Sequence, residues 1–225
     1  MATILHIDTA GEKAMIAFTK NKEVLASKEN TVSNTHASFV QASIQELAAL
    51  AKIDLHSIDA IAVTKGPGSY TGLRVGLSSA KGIAYALQKP IIGLSTLALL
   101  ANTAKRSPLF ASQGLQIFAM IDAKRMEVFG AIFNQAQEIS LKEQAIELDT
   151  TYFENLVNNG PLLCIGSGAP KVKNLTTHPS VFYSDLTYNI LDFIELAESK
   201  FALKDFEATA YTSPAYLKEF YLKTN

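Results

Sequence analysis

Apolar and polar positions alternate along the chain in two different periods. "TILHID" and "AMIAFTK" are short β-rich runs separated by "TAGEK", with Gly11 as the turn residue, and "EVLASKE" follows after "TKNK". Together they predict three antiparallel strands. The period then becomes helical: in "NTHASFVQASIQELAALAK", Val40, Ile44, Leu47 and Ala51 share one face. "DAIAVTKG" predicts a buried strand, and a helix follows from about Thr71 to Leu87. "PIIGLS" is a further strand, and "STLALLANTAK" a further helix capped by Ser95. Three strands followed by helix, strand, helix, strand and helix predict a mixed sheet covered by helices, in the order of half an actin-like domain.

The second half repeats this theme more loosely. "LQIFAMIDA" and "MEVFGAIFN" predict a hairpin around "DAKR", and "QEISL" and "QAIEL" extend it. "TYFENLVNN" reads as a helix, "PLLCIGSG" as a strand and glycine turn, and "LTYNILDFIELAESKFAL" as a long helix. The polar stretch "TAKRSPLFASQG" marks a boundary. The expectation is two subdomains, residues 1–106 and 107–213, with a C-terminal helix over about 214–225 packing back on the first.

Between the fourth strand and its helix runs "GPGSYTGLRVGLSSAKG", from Gly66 to Gly82. It lacks the Gly-Lys-Ser/Thr of a Walker loop, where Lys neutralises phosphate and the hydroxyl meets Mg²⁺. Nor does it have the spacing of a dinucleotide fingerprint. Gly66, Pro67, Gly68 and Gly72 are therefore read as a structural turn from strand to helix. In that helix Leu73, Leu77, Ala80, Ala84 and Leu87 suit the sheet, whereas Val75, Ser79, Gly82 and Ala86 form a nearly opposite face that is small rather than charged. The preceding helix carries a second apolar seam at Phe39 and Leu50, diluted by Ser43 and Glu46. Two readings stay open: a docking surface made of Phe39, Leu50, Val75, Ser79, Gly82 and Ala86, or burial of both faces within the chain.

Composition narrows the function. Of 225 residues, 48% are hydrophobic and 18% charged, enough for a sizeable core. Twenty Lys and Arg against 21 Asp and Glu, net charge -1, give no footprint of a strongly basic nucleic-acid binder. The single cysteine, Cys164, excludes a disulfide within the chain and fits a reducing compartment. "MATILHIDTA" lacks the basic start of a signal peptide, and the expectation is a soluble cytoplasmic protein.

"TKGPGSYTGLRVGLSSAKGIA" closely resembles the signature of the bacterial tRNA threonylcarbamoyladenosine biosynthesis family TsaB, also called YeaZ. "ILHIDTA", "THASF", "IIGLSTL", "MIDAKRMEVFGAIF" and "SPAYLKEF" resemble the family's further segments, with Met126 standing where the family often has Gly. The resemblance implies an actin-like, ribonuclease H-like fold in two subdomains, the second degenerate. It implies a non-catalytic scaffold subunit in N6-threonylcarbamoylation of the adenosine beside the tRNA anticodon. The partners implied are the catalytic paralogue TsaD and the ATPase TsaE, with tRNA met only in the complex. A homodimer is implied through the same helical face when TsaD is absent.

No cofactor, metal or catalytic residue is expected in this chain. TsaD carries a His-x-x-x-His metal pair after the strand matching "PIIG"; here Thr96 and Leu100 occupy those places, and neither replaces an imidazole. His6, His36, His56 and His178 do not pair at helical ligand spacing. Asp8 and Thr9 resemble the first phosphate-loop position of actin-like ATPases, but Gly11 in "DTAGEK" is displaced. "IGSGAP" (165–170) resembles a nucleotide-binding glycine turn without a second phosphate loop, and Asp122, Lys124 and Arg125 read as a local ion network. No nucleophile elbow is present. The competing readings are an actin-like small-molecule kinase or ATPase, the catalytic paralogue itself, and a stand-alone homodimeric interaction protein.

Overall fold

The computed structural model describes residues 2–31, 36–111 and 114–218. Its contacts divide into two units. The first comprises Met1–Thr96 with Asn189–Ala215, and the second Leu97–Tyr188 with the segment from Tyr216.

The first unit is built on a five-stranded sheet. β1 (Thr3–Asp8), β2 (Ala14–Lys20) and β3 (Glu23–Asn30) form an antiparallel meander. β4 (Ala60–Gly66) and β5 (Ile91–Ser95) add to it in parallel, giving the order β3-β2-β1-β4-β5. β1 is central and covered on both faces, which is why its apolar residues run on without alternation. α1 (His36–Leu50) and α2 (Tyr70–Leu87) bury one sheet face. Val40, Ile44 and Leu47 of α1 and Leu77, Ala80 and Ala84 of α2 pack there with Leu5, Ile7, Phe18, Ile61 and Val63.

The second unit repeats the plan. β6 (Gln116–Asp122), β7 (Glu127–Phe133) and β8 (Ile139–Glu147) are antiparallel. β9 (Leu162–Ile165) and β10 (Val181–Ser184) add in parallel, in the order β10-β9-β6-β7-β8. This doubled topology is the actin-like fold. The degeneracy lies in the helices: α4 (Thr150–Val157) is short, and α5 (Ala169–Lys173), between β9 and β10, is barely more than one turn. "QEISL" and "QAIEL" merge into the single bulged strand β8. β10 and α5 carry no sequence period long enough to read.

Two helices depart from the expected division at 106/107. α3 (Thr96–Thr103) directly follows β5, yet its Leu97, Leu100 and Ala101 join Ile117, Ala131 and Leu163 in a core of the second unit. α6 (Ile190–Ala202) directly follows the second sheet but belongs to the first unit, where Phe193 meets the His6 ring edge-on at 5.4 Å. α6 starts later than its apolar pattern because Asn189 caps it. The Asn189 side chain accepts from the Leu191 and Asp192 amides, and Asp192 accepts from the Asn189 amide.

The chain beyond α6 then closes the first sheet. Glu207 forms an antiparallel bridge to Ile91 on the outer edge of β5, its amide donating to the Ile91 carbonyl at 2.8 Å. Lys65 Nζ lies 2.8 Å from Glu207 Oε1, in room that Gly93 leaves by having no side chain. The helix expected over about 214–225 does not begin within 214–218, which are non-helical, and the rest of it lies outside the described residues. Among the described residues no helix is long and apolar enough to cross a membrane.

Candidate interaction surface

β4 ends at Gly66, whose φ of +109° is one that few side chains tolerate, and a cis Gly66–Pro67 peptide follows. Ser69 caps α2, its Oγ accepting from the Gly72 amide at 3.2 Å. The glycines beyond do more than turn the chain. Gly68, Gly72 and Gly76 recur every fourth residue and form one stripe, on which the β1–β2 turn lies. A Cβ on Gly68 would strike the Ala10 carbonyl, one on Gly72 the Thr9 carbonyl, and one on Gly76 the Thr9 hydroxyl, all well under 3.0 Å. Two hydrogen bonds fasten the contact: Thr9 Oγ1 donates to the Gly72 carbonyl at 2.7 Å, and the Ser69 amide to the Ala10 carbonyl at 2.7 Å. Gly76 is a close-packing position that the sequence reading lacks, although its spacing from Gly68 and Gly72 is the signal that finds it.

This packing also engages the turn that resembles a phosphate loop. Asp8 is buried, and its Oδ1 accepts from the Ala10 amide at 3.0 Å and from Thr64 Oγ1 at 2.8 Å. Its observed work is ordering the turn.

The sheet-facing residues Leu73, Leu77, Ala80 and Ala84 are buried. On the outer side the six candidate surface residues separate. Phe39 and Val75 are half-buried and pack on their own core. Ser79 is half-buried in the α1–α2 seam, where its Oγ accepts from Gln41 Nε2 at 3.0 Å. Leu50, Gly82 and Ala86 are exposed; Leu50 is 71% exposed, and a Cβ on Gly82 would meet nothing within 4 Å. α1 meets α2 at Ser79 through Gln41, and beyond that point Gly82 and Ala86 on the same side of α2 are exposed. Tyr85, 78% exposed, lies between them in sequence; the sequence hides it because a tyrosine breaks the small-residue pattern.

The remaining candidate groups stay apart. Thr96 and Leu100 are buried on α3. His56 bonds Asp54 at the surface, and His178 Nδ1 accepts from the Ser180 amide. His36 Nε2 lies 3.4 Å from the Gly11 carbonyl oxygen. Among the described residues no three His, Cys, Asp or Glu side chains gather as a metal site. In the second unit Lys171 donates to Asp122 at 2.6 Å and holds its carboxyl below the usual range; the Lys124 amide also donates to Asp122. Lys124 and Arg125 both adopt positive φ at the hairpin tip. Cys164 is fully buried, and burial pushes its thiol well above the ordinary value, away from nucleophilic use. The "IGSGAP" turn borders a cavity of about 220 Å³ between Gly166, Pro170, Lys173, Tyr183 and Asp185.

His6 carries a pH prediction. Its Nε2 pairs with Thr19 Oγ1 at 2.8 Å, and complete burial lowers its pKa from 6.5 to about 3. The unfolded chain therefore binds a proton below pH 6.5 that the folded chain refuses down to pH 3. Stability is full above pH 6.5 and falls as pH drops toward 3. The expected loss between pH 7 and pH 4 is about 3 kcal/mol from this residue. Urea midpoints across that range should show the slope, and His6→Gln should flatten it; equal slopes refute the assignment.

The sequence model of the family described as TsaD, tRNA N6-adenosine threonylcarbamoyltransferase, matches residues 23–216. The tRNA threonylcarbamoyladenosine biosynthesis protein TsaB of Haemophilus influenzae is 29% identical over 234 residues, covering 96% of this chain and 93% of the relative. The same-named protein of Escherichia coli is 33% identical over 132 residues, 59% of this chain and 55% of that one. Among solved structures, YeaZ from Pseudomonas aeruginosa superposes with a TM-score of 0.77 at 26% identity, covering 96% of this chain and 100% of that one.

Proposed function

This chain belongs to the TsaD family, and within it to the TsaB/YeaZ group, and from that membership we infer that it serves tRNA threonylcarbamoyladenosine biosynthesis as a non-catalytic subunit. Its contribution is to dock on the catalytic TsaD and to help form the platform on which TsaE and tRNA assemble. Threonylcarbamoyl transfer from the adenylate to N6 of adenosine then takes place on TsaD, in the cytoplasm. Without TsaD the same face joins two copies of this chain.

The observation that carries this reading is the end of α2. Leu50, Tyr85 and Ala86 are exposed around Gly82, where an approaching backbone meets no side chain. Small residues let helices approach closely, and exposed apolar residues around them supply area to bury. The catalytic alternatives receive less support. Asp8 is committed to Thr64 and the Ala10 amide, and the glycine stripe of α2 is committed to the β1–β2 turn.

The test is reconstitution. Purified TsaD and TsaE of the same organism, threonylcarbamoyl-adenylate and unmodified tRNA should form little modified adenosine without this chain and much with it. Undiminished product in its absence refutes the subunit role. Product from this chain alone refutes its non-catalytic character.

A further inference from the structure

The doubled plan of the fold supplies an internal comparison. In each unit the first strand ends in an aspartate that orders the hairpin turn after it. Asp8 accepts from the Ala10 amide at 3.0 Å, and Asp122 from the Lys124 amide at 2.6 Å. In the first unit that turn is covered: Thr9 and Ala10 are buried, packed on the glycine stripe of α2. In the second unit the helix in the place of α2 is α5, barely more than one turn long. The tip of the β6–β7 hairpin, Lys124, Arg125 and Met126, is exposed.

The carboxylates beside this tip are already matched. Lys171 donates to Asp122 at 2.6 Å and to the Glu127 carbonyl at 2.8 Å, and Lys218 pairs with Glu127 Oε2 at 2.6 Å. Lys124 and Arg125 form no ion pair among the described residues, so their charges are left to solvent or a ligand. Their backbone is strained as well. Lys124 has a φ of +67° and Arg125 of +48°, the left-handed region that suits Gly or Asn. Two long cations placed there cost conformational energy, and no ion pair of theirs among the described residues offsets it. Such strain concentrates where a side chain meets a ligand.

The ligand that these groups suit is a run of phosphates. A guanidinium meets a phosphate through two parallel hydrogen bonds, and the adjacent ammonium adds a second point of charge. A polyanion with a charge on every nucleotide engages both at once. The whole chain has a net charge of -1, so its hold on such a backbone has to be local. We propose that Lys124 and Arg125 contact the phosphate backbone of tRNA in the assembled complex. This rests on the subunit reading above and gives the subunit a direct grip on the substrate.

Fluorescence anisotropy of labelled, unmodified tRNA tests it, with this chain, TsaD and TsaE of the same organism assembled over a series of salt concentrations. The double variant Lys124→Asn, Arg125→Gly puts residues that accept positive φ into the turn, so the isolated chain should melt no lower than the parent. It should weaken tRNA binding several-fold at low salt. It should also reduce the slope of log affinity against log salt by about 1.4 to 1.8, the value for two phosphate contacts. Lys124→Gln with Arg125→Gln, which removes only the charges, should repeat both effects even if the first variant proves unstable. Arg125→Lys should keep the parent's slope. Unchanged affinity and slope in the charge-free variants overturn the proposal, and so does weaker binding with the parent's slope. Calorimetry without tRNA supplies a further check. Loss of TsaD or TsaE affinity in the same variants would assign the tip to an acidic protein surface and overturn it. ATP binding by the isolated parent that the variants lack would assign the tip to a nucleotide and overturn it too. Product formation separates the two ideas. If the parent supports modification while the variants bind tRNA like the parent, this proposal alone fails. If the parent adds no product, the subunit reading fails and takes this proposal with it.

Discussion

If the end of α2 docks on TsaD as proposed, Gly82→Arg should abolish that association and leave the isolated chain as stable as before or more so. The position is open, with nothing within 4 Å of where a Cβ would stand, so the new side chain displaces no neighbour of its own chain. Replacing a mid-helix glycine removes a conformational penalty of about 1 kcal/mol. In a docked complex the same side chain would put a long cation into a close helix contact without a partner, costing about 3 kcal/mol or more, a hundredfold in affinity. Calorimetry measures the affinity and thermal unfolding the stability. Normal binding by a folded variant would show that this end of α2 is not where TsaD sits.

Gly72→Val does the opposite on the same helix. Its Cβ would strike the Thr9 carbonyl, a backbone group that cannot rotate aside. The β1–β2 turn would have to lift, losing the bond from Thr9 Oγ1 to the Gly72 carbonyl and disturbing the turn that Asp8 orders. The expected cost is about 3 kcal/mol, at the upper end for overpacking, out of a typical total of about 5–15 kcal/mol. Urea unfolding should show a loss of unfolding free energy of that size, with TsaD affinity retained by whatever fraction stays folded. A loss below about 1 kcal/mol would mean that the turn is free to move. On one helix, then, Gly72 serves a contact within the chain, and Gly82 is the position the docking proposal assigns to a contact outside it.

The contrast between Gly72 and Gly82 shows what the sequence reveals and where it stops. Local periods are legible. The three opening strands, α1, β4, α2 and β5 all follow from apolar spacing and turn residues, whereas the second half is legible only as a looser echo, with β10 missing from it and β8 read as two strands. The sheet-facing side of α2 is legible for the same reason. Its outer side is only partly so, because a helical wheel does not tell where a neighbouring helix ends. Phe39, Val75 and Ser79 share a pattern with Leu50, Gly82 and Ala86, yet the first two pack on the core, Ser79 meets Gln41 of α1, and the other three are exposed. The spacing of Gly76 from Gly68 and Gly72 is visible, but what it packs against is not, because Thr9 lies 67 residues earlier in the chain. Lys65 and Glu207 are 142 residues apart, and no local pattern announces a pair at that distance. Nor does periodicity say which sheet a helix will cover, and α3 and α6 each belong with the half that the strand before them does not.

That exchange bears on how the protein is made. A ribosome releases β1 to β5 long before it releases Phe193 or Glu207. Until about residue 215 has emerged, the nascent first sheet has a bare outer edge along β5 and lacks the helix that covers His6. The first half to be synthesised is therefore among the last to be finished.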